Sequence, residues 1–300
     1  MAKYRNVGRS WRTYAKHELM GSVIGQEVGA AGSMPKIGRH VWFDLTAGDA
    51  ALVDGVEWER GCSPGILARH ATKARKRVEI VLHEIQPATF DRLLDNLGVF
   101  LPTLGYEKDG EDRWHFADRV TITALNISGH EADVRPVRNT DAVFVLNDAN
   151  AITEWAMRPT FAREICDRTW CFRSLSTMGC NPAGIKRIDL EDGSGDAKRE
   201  RRAWFDLIAT QQNTLPHYRD LLLAAIEKDE AQWAYLLCTA AKWRPQSESI
   251  VRGAFQAAIK RLPEESRGRT AAMTWFGTDP LGFEEAKRHL FLTKAEREAL

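Results

Sequence analysis

The segment from His40 to Ala50 constrains this chain most: an apolar run, Val41 to Leu45, passes directly into a short acidic turn, Thr46 to Asp49, that contains Gly48. A short apolar run bounded by a turn signal reads as a strand buried on both faces. Glycine at such a turn lets the backbone bend sharply and come close to a ligand, because no Cβ intervenes. A second apolar run, Val78 to Leu82, ends in His83 and Glu84. In an open α/β sheet the carboxyl ends of the strands face the ligand crevice, so Asp44 and Glu84 are expected to point into one pocket.

The same pattern recurs along the chain. Apolar residues near helical spacing from Ser10 to Val28 predict a leading helix, and residues 1–38 form that helix and a linker. Ser63 and Pro64 read as the N-cap and first residue of a helix running to about Lys76, whose basic run Lys73 to Arg77 suits the negative end of the helix dipole. Ala88 to Leu97 reads as a further helix. Residues 98–140, with Trp114, Phe116, Val120, Ile122 and Ile127 among turn residues, read as a β-rich insertion. Buried strands follow at Asp141 to Leu146 and Thr169 to Met178, with later strands at Trp233 to Ala240 and Thr270 to Phe276. Helices are expected at Arg201 to Ala209, Pro216 to Lys228, Glu248 to Leu262 and from Phe283 onward, and Gly193 to Arg202 reads as a loop. Strands alternating with helices predict an α/β fold with a doubly wound, mostly parallel sheet, in a single domain over residues 1–300.

Composition narrows the function classes. The 42 basic and 41 acidic residues nearly cancel, so any polyanion site is a local patch. The five cysteines lack paired Cys-x-x-Cys spacing, which argues against a disulfide framework and a structural zinc site, and places the chain in a reducing cytoplasm. No run of eighteen apolar residues suggests a membrane span. The phosphate loop, the Gly-x-Ser-x-Gly elbow and the His-Glu-x-x-His metal motif are all missing, so no metal site is expected.

Four strand ends carry polar groups in series: Asp44 with Gly48, Glu84, Asp148 with Asn150, and Asn181 with Pro182. At these residues the chain resembles the class I methyltransferases that use S-adenosylmethionine (SAM), with their Rossmann-like fold, and more narrowly the three-Cys-motif partner proteins. The resembling pieces are Lys16 and His17, Phe43 to Asp49, Gly61 to Pro64, Leu82 to Glu84, Asn147 to Asn150, Asn181 to Gly184 and Ala203 to Ile208. Ala50 stands where the family usually has a second glycine, and Ala183 where amino methyltransferases hold a second proline before an aromatic residue.

The resemblance implies a SAM site built from Asp44, Thr46, Ala47, Gly48, Asp49, Ser63, Glu84, Gln86, Asp148 and Ala149. Glu84 would accept from the ribose hydroxyls, since one carboxylate can take two hydrogen bonds from a diol; a helix-capping role is the alternative. Asp148 would accept from the adenine amino group or cap a following helix. Asn181 and Pro182 would orient a target amine, and positioning is most of the catalysis in methyl transfer from a sulfonium. Lys186 and Arg187 would bind a phosphate backbone, and an aromatic, Trp204, Trp58 or Trp155, would stack a flipped base. The expected function is therefore a SAM-dependent methyltransferase acting on an amino group of a nucleic-acid base, in DNA or RNA. A degenerate relative that binds SAM or a nucleotide as a protein partner, and an enzyme using SAM without methyl transfer, are the alternatives.

Overall fold

The computed structural model describes residues 11–52, 56–149, 164–165, 168–169, 171–179, 233–241 and 245–276. Its strands are β1 (Arg39–Asp44), β2 (Arg77–His83), β3 (Glu107–Lys108), β4 (Arg113–Phe116), β5 (Val120–Leu125), β6 (Asp141–Ala149), β7 (Cys171–Gly179), β8 (Trp233–Ala241) and β9 (Thr270–Phe276). The helices are α1 (Trp11–Gly32), α2 (Trp58–Gly61), α3 (Ser63–Thr72), α4 (Pro87–Phe100), α5 (Pro245–Arg261) and α6 (Glu264–Gly268).

All nine strands form one sheet in the order β3-β4-β5-β2-β1-β6-β7-β8-β9. The five central strands, β5-β2-β1-β6-β7, run parallel to one another. Counted along the chain they lie third, second, first, fourth, fifth, which is the doubly wound arrangement, and the order reverses between β1 and β6. The fold is therefore the expected mostly parallel α/β sheet. Two additions modify it. Residues 98–140 supply β3, β4 and β5, a meander whose last strand is also the third parallel strand. On the other side β8 runs antiparallel to β7 while β9 is parallel to β8, so β8-α5-β9 is a unit pointing the opposite way.

Register puts the polar strand ends in rows. Asp44 lies opposite Leu82 of β2 and Leu146 of β6. Because side chains alternate with a period of two, Glu84 and Asp148, each two residues further on, share the parity of Asp44. Thr177 pairs with Asp148 and joins the same row. On that face, Leu19, Met20, Val23 and Ile24 of α1, Ile66 and Leu67 of α3, and Val251 and Phe255 of α5 form one buried cluster with Trp42, Phe144, Leu146, Leu175 and Leu237.

The helix start at residue 63 differs from expectation by one position. Cys62, not Ser63, caps α3: its sulfur accepts the Gly65 N–H at 3.4 Å, and Pro64 follows in the first turn. The serine hydroxyl is thereby left for another partner. Gly65 is required by packing, since a Cβ there would sit 2.4 Å from the Trp58 carbonyl oxygen of α2. The helix also ends earlier than expected, at Thr72. Among the described residues no helix is long and apolar enough to cross a membrane.

Candidate functional site

Asp44 closes β1 at the point where the strand order reverses, and it is fully buried. Its Oδ1 accepts the Thr46 N–H at 3.2 Å, while Oδ2 has no hydrogen-bond partner among the described residues. Burial raises its pKa to about 7; hydrogen bonds from Ser63 and the Thr46 amide, with the charge of Lys16, pull it down, and Asp148 adds to the rise. Burial and the partnerless Oδ2 leave this carboxylate poorly satisfied in its ionised form.

Asp148, one strand away, is in the opposite state. Its Oδ2 takes a 2.5 Å hydrogen bond from Lys16 Nζ, its Oδ1 accepts the Thr177 hydroxyl, and its backbone N–H donates to Thr46 Oγ1 at 2.8 Å. Burial pushes its carboxyl up, but the Lys16 charge and the hydrogen bonds of Lys16 and Thr177 outweigh it and hold the group below the ordinary carboxylate value. Two neighbouring acids driven apart in this way make these strand ends the candidate site. Neutral imidazoles flank the pair. His17, buried beside Lys16, is lowered to about 4 by burial and by that lysine, and His83 is lowered by burial while its Nδ1 lies 3.1 Å from the Asp44 carbonyl oxygen.

The turn after β1 is shaped by two left-handed residues. Gly48 has φ +65° with nothing within 4 Å of where a Cβ would stand, and Ala50 adopts φ +49° despite its side chain. The position where the resembling family carries a second glycine thus keeps the conformation that favours glycine. Ala47 is tied to β2 by its N–H to the His83 carbonyl at 3.0 Å.

The remaining expected cofactor residues divide. Ser63 is buried and its hydroxyl serves Asp44. Glu84 is half-buried just past β2; its Oε1 accepts the Gln86 N–H at 2.7 Å, a local turn before α4, and its carbonyl accepts from Asn126. Gln86 is exposed. Ala149 ends β6. Asp49 faces α4: its carboxylate binds Arg92 at 3.3 Å and its carbonyl accepts from Asn96 at 2.8 Å.

Of the expected acceptor-binding groups, Asn181, Pro182, Lys186, Arg187, Trp204 and Trp155 lie outside the described residues, as do Asn150 and the helices and loop expected between residues 193 and 228. Trp58 does not serve as a base-stacking platform. It is buried, stacked on Phe100 with centroids 5.3 Å apart, and its Nε1 donates to the Ala50 carbonyl. The basic run Lys73 to Arg77 leads into the amino end of β2, at the sheet edge opposite the crevice, so it does not flank the site.

Lys16, Thr177 and His83 complete the site, and the sequence reading did not assign them to it. A signal existed for the first. Lys16 stands three, four and seven residues before the buried Leu19, Met20 and Val23, so a charge occupies the apolar stripe of α1. Only 7% of Lys16 is exposed, and its ammonium also lies 5.9 Å from the Trp233 ring centroid. Among the described residues no group of acids, histidines and cysteines is arranged to hold a metal ion.

No family model matches the chain, and no curated protein does. Solved structures similar to it include the plantazolicin methyltransferase BamL, in complex with SAH and a triazolic desmethylPZN analog, at 6% identity and TM-score 0.38, covering 84% of this chain and 81% of that one. The plantazolicin methyltransferase BpumL with SAH gives 7%, 0.37, 85% and 82%. An rRNA methylase from Streptococcus thermophilus gives 12%, 0.28, 53% and 68%.

Proposed function

We propose that this chain binds SAM in the crevice between the carboxyl ends of β1 and β6 and transfers its methyl group to an acceptor. One observation carries the reading: a fully buried carboxylate, Asp44, presents an oxygen without a partner at the reversal point of a doubly wound sheet, next to a left-handed glycine with open space before it. A ligand bearing an ammonium and a sulfonium, as SAM does, supplies the missing positive charge. Gly48 admits the ligand to the backbone, and Glu84 retains acceptor capacity for the ribose hydroxyls beside its bond to Gln86. Asp44, Thr46, Ala47, Gly48, Ser63 and Glu84 form the proposed cofactor set, with Gln86 and Ala149 at its rim. Asp148 acts there through Lys16 and Thr177, and Asp49 through the turn it fixes.

Bound SAM supplies an electrophilic methyl group whose departure leaves a neutral thioether. The protein's task is to align an attacking lone pair with the breaking bond. Asn181, following β7, is the residue proposed to accept a hydrogen bond from an amine and aim it, with Pro182 fixing the turn. The acceptor proposed is an amino group of a nucleic-acid base, held by Lys186, Arg187 and Trp204; the sequence Asn181-Pro182 followed by the basic pair Lys186-Arg187 supports this.

Calorimetry with SAM tests the first step, and Asp44→Ala and Glu84→Ala are each expected to remove most of the signal. Unchanged affinity in both would place the ligand elsewhere. Incubation with methyl-tritiated SAM and mixed DNA, RNA and protein tests the second. Label is expected on nucleic acid and lost in Asn181→Ala, whereas binding without label on any acceptor would make the chain a SAM-binding partner protein.

A further inference from the structure

Lys16 is a buried cation brought to the crevice by a helix that precedes the whole sheet. Its ammonium has three N–H donors, and Asp148 Oδ2 is its one hydrogen-bond partner among the described residues. The Trp233 ring covers one side of it without accepting a conventional hydrogen bond. Its charge also acts on Asp44, whose Oδ2 is the unpartnered acceptor described above. Lys16 holds Asp148, the Asp148 N–H donates to Thr46 Oγ1 and the Thr46 N–H donates to Asp44, so a buried acceptor without a partner and a buried ammonium lie at neighbouring strand ends. That pairing matches a zwitterion, such as the amino-acid head of a ligand, with its ammonium on Asp44 and its carboxylate on Lys16.

We infer that Lys16 is a specificity-determining residue that reads the carboxylate of the bound ligand, with Asp148 and Thr177 fixing its ammonium in place. The inference rests on the proposed SAM site, and the compounds that test it separate the two. Decarboxylated SAM keeps the adenosine, the sulfonium and the amine, and lacks only the carboxylate. It is also the more positively charged of the two. An acidic crevice in which Lys16 played no part would therefore prefer it, so the inference predicts the opposite order from simple charge attraction.

Calorimetry of the full chain at pH 8 with each compound gives the answer. Wild type is expected to bind SAM about tenfold or more tightly than decarboxylated SAM, the range of a charge-assisted hydrogen bond. In Lys16→Met the preference should vanish or reverse, and in Lys16→Arg part of it should return. Equal binding of the two compounds by wild type overturns the inference and leaves the SAM site standing, as does an unchanged preference in Lys16→Met. Failure of wild type to bind either compound overturns the site itself. The wild-type comparison needs no variant, so equal binding overturns the inference even if loss of Lys16, which strands the Asp148 carboxylate, prevents folding; where Lys16→Met does not fold, Lys16→Arg carries the test, and a preference identical to wild type in it overturns the inference.

Discussion

Asp44 shows how a residue can weaken the fold it sits in while preparing it for a ligand. The unfolded chain ionises this carboxyl near its ordinary value of 3.8 and the folded chain only near 7, so between those values the native state holds the extra proton. Its contribution is neutral below the lower value, grows unfavourable as pH rises through the window, and is at its worst above about 7. Asp44→Asn is therefore expected to stabilise the protein by about 1–3 kcal/mol at pH 8 and by almost nothing near pH 4, judged from the size of the shift. Urea denaturation of both proteins at the two pH values checks this. Ligand binding has the opposite sign. A cation prefers ionised Asp44, so SAM affinity should rise as pH increases from 6 to 7 and level off above about 7.5, given one controlling group near 7. A flat calorimetric profile across that range would show that Asp44 does not meet the charge. The acidic strand end at 44 was legible because an apolar run and a glycine turn enclose it. Its missing partner was not, because that depends on where every neighbouring side chain goes.

At the scale of elements, long-range pairing decides what local pattern leaves open. Ser63 and Pro64 correctly announced a helix, yet the cap moved to Cys62 because a buried thiol fits against the amide of Gly65 and frees the serine for Asp44. Gly65→Ala should cost about 3 kcal/mol or more, the upper range of overpacking, since the new methyl would overlap the Trp58 carbonyl. A thermal melt measures it. Asp148 read as an adenine ligand, with a helix cap as the alternative; its partners, Lys16 and Thr177, stand on other elements and no local spacing points to them. The far end of α1 shows the same dependence. Glu27 and Arg173 form an ion pair at 2.5 Å with both side chains fully buried, pinning α1 to β7. Arg173→Met alone is expected to destabilise by about 3–5 kcal/mol, while Glu27→Leu combined with Arg173→Met should recover most of the loss, because an orphaned buried charge costs more than a missing pair. Denaturation of the single and double variants decides between that coupling and simple additivity.

For the molecule as a whole, the apolar runs at 41–45 and 142–146 made the parallel sheet legible, since strands buried on both faces leave continuous apolar stretches, while β2, interrupted by the half-buried Glu79, alternates in burial and was marked by Val78, Ile80 and Leu82. The reversed direction of β8 was not legible, because a run such as Trp233 to Ala241 carries no mark of which way it lies against a neighbour. Nor did residues 98–140 declare that their last strand completes the parallel set, as β5 alternates like an ordinary half-buried strand. Amide hydrogen exchange should follow this layout: β1 and β6, paired on both sides, exchange slowest, and the exposed two-residue β3 at the rim exchanges fastest. Equal protection of β3 and β1 would mean that the sheet opens only as one unit.

Lys16 finds its carboxylate 132 residues further along the chain. During synthesis at roughly 5–20 residues per second, α1 leaves the ribosome on the order of ten seconds before the strand that neutralises its buried cation exists. Throughout that interval the nascent segment carries Leu19, Met20, Val23 and Ile24 without the sheet that later covers them.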